Sequence, residues 1–100
     1  MTEQQLSFVY LTLFRVDIIA ILQNDYDEDR ILRSLESISN YISSELTSLS
    51  TATPCPFKVI NLLTKWKKKI DEQRVIGGPK ERLMKALRDM KLYLEMNIKN

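Results

Sequence analysis

Histidine is absent from this chain of 100 residues. With it goes the side chain whose ordinary pKa suits proton transfer near neutrality and which most often ligates metals. Serine and cysteine nucleophiles lose their usual base. Cys55 is the single cysteine, so neither an intrachain disulfide nor a thiolate zinc cluster can form, and the chain reads as intracellular or indifferent to redox state. Only two glycines are present, side by side at Gly77 and Gly78. They form no phosphate loop, because no strand signal precedes them and no lysine followed by serine or threonine comes after. These absences leave enzyme activity without a supporting constellation, and no cofactor or metal is expected.

Long hydrophobic runs are also scarce. The greasiest stretch, residues 6–22, is interrupted near its middle by Arg15 and Asp17, which argues against membrane insertion. Met1-Thr2-Glu3 supplies no basic region ahead of it, so no secretory signal is expected and a cytoplasmic location is.

The chain does have a sharp division of charge. A formal total of +2 conceals two halves of opposite sign: residues 1–55 carry 3 basic and 8 acidic side chains, residues 56–100 carry 12 basic and 5 acidic. Such a dipolar chain can hold its own halves together, steer an acidic partner to one end, or both.

An apolar content of 44% in a chain of this length predicts one domain around one core. Turn signals divide it into four helical segments. The first covers residues 3–23, with Thr2 and Gln5 placed for a capping box. Its apolar side chains cover nearly the whole circumference, which makes it either central or shared with a second subunit. The second starts in the acidic run Asp25-Tyr26-Asp27-Glu28-Asp29 and continues to Ser50, with Ile31, Leu35, Ile38, Ile42, Leu46 and Leu49 in one stripe. Pro54 and Pro56 break the pattern, and Pro56 is suited to open the third, residues 56–74. Gly77-Gly78-Pro79 ends it, and the fourth runs over residues 79–97. Glu81 with Lys85, and Lys85 with Asp89, are spaced to pair on its exterior, while Leu92 and Met96 point away from the core face.

This pattern predicts an all-α fold, a single antiparallel four-helix bundle occupying residues 1–100. The expected core comprises Leu13, Val16, Ile31, Leu35, Ile38, Ile42, Ile60, Leu63, Trp66, Leu83, Leu87, Met90 and Leu94. The surplus apolar surface of the first helix predicts a homodimer or stable partner complex through Tyr10, Phe14, Ile18 and Ile21. Arg15 and Asp17, two residues apart, point to different sides and either find separate partners or water, or mark the polar rim of such a contact.

Asp25, Asp27, Asp29 and Glu36 fall at positions 1, 3, 5 and 12 of a calcium loop, but position 6, where a glycine should permit the turn, is Arg30. The carboxylates therefore read as acidity at a helix start, where the helix dipole favours them. Cys55 reads as an ordinary thiol.

The strongest candidate surface is basic. Lys58, Lys65, Lys68 and Lys69 fall in one sector of the third helix, opposite Trp66 and its apolar neighbours, and Lys85 follows on the fourth. A solvated face is the plain reading. The functional ones are docking to an acidic protein or a membrane surface, and a nucleic-acid contact through phosphates. Phosphate-binding faces usually bring arginine and a stacking aromatic as well, and Trp66 lies on the apolar side.

The layout resembles the small immunity proteins that protect bacteria producing pediocin-like bacteriocins. The resemblance is carried by an apolar first helix, an acidic connection, Arg30-Ile31-Leu32-Arg33-Ser34-Leu35 opening a second helix and Pro56-Phe57-Lys58-Val59-Ile60 opening a third. It implies an antiparallel four-helix bundle, no catalysis, and a basic carboxyl-terminal half that recognises a partner complex at the inner membrane face. The alternative from another class is a small nucleic-acid-binding regulator using Lys58, Lys65, Lys68, Lys69 and Lys85.

Overall fold

Helix boundaries in the computed structural model, which describes residues 1–98, follow the turn chemistry closely. The elements are α1 (Glu3–Gln23), α2 (Glu28–Ser50), α3 (Phe57–Ile76) and α4 (Lys80–Ile98), with no strand among the described residues. Thr2 opens α1 with a complete capping box. Its hydroxyl accepts from the Gln5 N–H at 3.1 Å while its own N–H donates to the Gln5 side chain at 2.8 Å. Asp27 caps α2 by accepting from the Arg30 N–H at 2.8 Å, and Glu28 and Asp29 occupy the first turn. Gly77 ends α3 at φ 70°, a backbone angle that side-chain-bearing residues rarely adopt.

Short connections make the helices antiparallel. Contact is most extensive within two pairs, α2 with α3 and α1 with α4, which meet where α1 crosses against α3. Contact between α1 and α2 is slight although they are consecutive. The result is a flattened four-helix bundle with an envelope of 42 × 27 × 18 Å.

Aromatic rings run through its centre. Phe14 stacks on Tyr10 at 6.2 Å and on Trp66 at 5.8 Å, and Trp66 stacks on Tyr93 at 6.1 Å, so one chain of rings joins α1, α3 and α4. Around it Ile31, Leu35, Ile42, Leu63, Ile70, Leu83, Leu87 and Leu94 are sealed from solvent. Full burial of each such side chain contributes roughly 1.5–3 kcal/mol. Trp66 is buried, a core residue and not a stacking platform, and its indole N–H has no hydrogen-bond partner among the described residues.

Three expectations are corrected. Leu13 and Val16 are not core: they remain 42% and 55% exposed. Tyr10, Phe14, Ile18 and Ile21 are not an oligomer interface, because they form the inward face of α1 and are buried within the single chain. The inward arc of α1 sets Tyr10, Phe14, Ile18 and Ile21 toward the core, with Phe14 stacked on Trp66, and leaves Phe8, Val9, Leu13 and Val16 outside. Ile60 is only half-buried, with Val59 taking the inward position.

Polar contacts tie the pairs together. Arg15 donates from Nε and Nη2 to the Glu95 carboxylate at 3.0 and 2.9 Å, joining α1 to α4. Asp71 on α3 accepts from Ser39 of α2, and Arg74 approaches Glu36 at 3.9 Å. At the loop end Lys80 bonds Asp25 at 2.6 Å, and at the far end the Tyr10 hydroxyl donates to Glu45 at 2.8 Å.

Candidate functional site

Amphipathicity of α3 fixes where the lysines go. Val59, Leu63, Trp66 and Ile70 turn into the core, so Lys58, Lys65 and Lys68 emerge into solvent and Lys69 lies half-buried at the edge. None of these four, nor Lys85, forms an ion pair among the described residues. The lysine of this run that is paired is Lys67, which bonds Asp71 at 2.6 Å. The charge division is therefore bridged by Lys80–Asp25 and Arg74–Glu36, not by the candidate lysines.

Two of the lysines converge on an aromatic ring. The Lys69 ammonium lies 4.7 Å from the Tyr93 centroid and that of Lys65 lies 5.7 Å from it. Tyr93 was not legible as part of this surface, because only tertiary packing brings α4 beside α3. Its ring is already engaged by Trp66 and the lysines, so it offers no bare platform to a nucleobase. Lys85 is exposed on α4 and pairs with neither Glu81 nor Asp89; the one-turn pair that forms on α4 is Lys91–Glu95 at 3.4 Å. Below Lys68, the outer side of α3 has a shallow depression of about 510 Å³ bordered by Lys67, Asp71, Glu72 and Val75.

The acidic connection is occupied by structural duties. Asp25 sits at φ 48° and bonds Lys80, whose hydrogen bond and charge hold its carboxyl below the usual range. Asp27 caps α2, the helix begins at Glu28, and Glu36 lies toward Arg74. Among the described residues no three histidine, cysteine or carboxylate side chains are disposed to hold a metal ion. The Cys55 thiol is half-buried and points its hydrogen at the Leu49 carbonyl, 3.8 Å away.

A second surface lies between α1 and α2. Their slight contact leaves a trough of about 530 Å³ that includes Leu13, Asp17, Ile38 and Tyr41. Asp17 is open to solvent at the rim, yet desolvation by its apolar neighbours raises its carboxyl above the ordinary value. Burial and then the Glu45 carboxylate raise the hydroxyls of Tyr41, which lines the trough, and of Tyr10, which bonds the same Glu45.

Comparison with known proteins finds no matching family model, no matching curated protein and no matching solved structure.

Proposed function

We propose that this chain is a non-catalytic binding protein that works through protein contacts, with Lys58, Lys65, Lys68 and Lys69 of α3 as its docking surface. The observation that carries the reading is that these lysines lie on a packed helix and form no ion pair with any carboxylate among the described residues. A cluster of unpaired cations held on a rigid helix attracts an acidic partner and raises its encounter rate. Lys85 extends the basic character to α4. The most specific version of the reading is an immunity-like role, in which this surface meets a partner complex at the inner membrane face; its support is the layout of the four helices and the basic carboxyl-terminal half.

Titration of the full chain with polyglutamate, with mixed-sequence duplex DNA and with single-stranded DNA at two salt concentrations tests the protein-docking reading. Binding to polyglutamate that weakens with salt, without useful affinity for either DNA at low salt, is the expected outcome. Useful DNA affinity with a steep salt slope would transfer the function to nucleic acid. Survival of bacteriocin-sensitive cells that produce the chain tests the immunity version separately.

A further inference from the structure

α1 carries more apolar surface than the bundle covers. It is long and apolar enough to cross a bilayer by length and composition, with mean hydropathy 1.7 over an 18-residue window, yet only 28% of that window is buried. The uncovered part is ordered: Val9, Leu13, Val16 and Ala20 are all exposed and recur at steps of four, three and four. That is the spacing of a seam between two packed helices. The trough between α1 and α2 runs beside it, sharing Leu13 and Ala20, and its one carboxylate, Asp17, has no ion-pair partner among the described residues.

We infer that the seam and trough together dock an amphipathic helix of a protein partner, one with apolar residues at heptad spacing and a lysine or arginine that reaches Asp17. A helix supplies both parts of the fit. Its apolar row covers Val9, Leu13 and Val16, and the stem of a long basic side chain lies along Ile38 and Tyr41 while its charged end meets the carboxylate. A small amine in the trough would leave Val9 and Val16 bare. A second copy of this chain, placed seam to seam, brings another Asp17 and no cation from its own α1, whose one basic side chain, Arg15, is turned to Glu95 on the α4 side. A lipid surface would drive the Asp17 carboxylate toward hydrocarbon, where it is strongly disfavoured. This surface is separate from the lysine face, and its partner is basic where that one's is acidic.

Isotope-labelled full chain titrated with a three-heptad leucine–lysine peptide, and with the counterpart carrying glutamate for lysine, tests the inference by amide shifts. Shifts at Val9, Leu13, Val16, Asp17 and Tyr41 with the lysine peptide are expected, with far weaker binding of the glutamate peptide. Asp17→Asn should weaken the lysine peptide about tenfold, while Glu3→Gln, which removes a carboxylate elsewhere on α1, should not. Shifts confined to other faces, or equal affinity for Asp17→Asn and the unaltered chain, would overturn it. So would a free chain that sediments as a dimer and returns to monomer on Leu13→Ser, or one that floats with phosphatidylcholine–phosphatidylglycerol vesicles until Leu13 is replaced by serine.

Discussion

The Ser39 hydroxyl, buried on α2, donates a 2.7 Å hydrogen bond to Oδ1 of Asp71 on α3. The same carboxylate accepts from Lys67 at 2.6 Å and from Arg74 at 3.0 Å, so one acid gathers three donors and fixes the register of the α2/α3 pair. Ser39→Ala removes the donor that comes from the partner helix. The expected loss is about 1 kcal/mol, because Asp71 keeps its two cations and some water; a melting temperature lower by about 5 °C checks it.

Stability should respond to pH with opposite signs at two aspartates. Burial would raise the Asp71 carboxyl, but hydrogen bonds from Lys67, Ser39 and Arg74 outweigh it and hold the group below its ordinary value. Its contribution is therefore present above the unfolded carboxylate range and is lost as pH falls through the folded value. Asp17 is raised by desolvation, so its contribution is present at acid pH and lost as pH rises through the folded value. Asp71→Asn should destabilise at neutral pH and converge on the unaltered chain in acid. Asp17→Asn should match or exceed the unaltered chain's stability at neutral pH. Urea denaturation from about pH 2 to about pH 7 follows both differences.

The two glycines of the α3–α4 turn should differ in their tolerance of alanine. Gly77 has a positive φ, where a side chain is strained even though the space around it is open. Gly77→Ala should cost about 1 kcal/mol. At Gly78 the nearest atoms an added methyl group would meet belong to the carboxyl end of Glu28, a flexible side chain that can swing away. Gly78→Ala should cost a few tenths of a kcal/mol or less, and a pair of thermal melts separates the two.

Punctuation made most of this fold legible. Thr2 with Gln5, the acidic run before α2, Pro56 and Gly77-Gly78-Pro79 each mark a boundary within a few residues of where the helix begins or ends. The stripes of α2 and α4 mark their buried residues because polar side chains dominate their opposite faces, interrupted on α4 by the exposed Leu92 and Met96. In α1 apolar residues lie on all sides, so period alone does not choose the inward arc: Leu13 and Val16 fit a core position as well as Tyr10, Phe14, Ile18 and Ile21, and only packing turns the latter four inward. A weaker signal was present: Gln5, Thr12 and Gln23 fall opposite Phe14 and Ile21 at 3.6 residues per turn. The lysine sector followed from periodicity, but Tyr93 beneath Lys65 and Lys69 and the trough around Asp17 depend on how helices meet.

Replacement of Lys58, Lys65, Lys68 and Lys69 together by glutamine tests most directly that these residues serve binding and not folding. Lys58 and Lys68 make no ion pair or aromatic contact among the described residues, while Lys69 and, at greater distance, Lys65 lie against Tyr93; the nearer contact contributes about 0.5–1 kcal/mol, offset in part by relief of repulsion among the four. The variant should therefore unfold within about 1 kcal/mol of the unaltered chain, while its binding to polyglutamate should fall sharply and lose its salt dependence. A variant that fails to fold, or that folds and binds polyglutamate as before, would contradict the account.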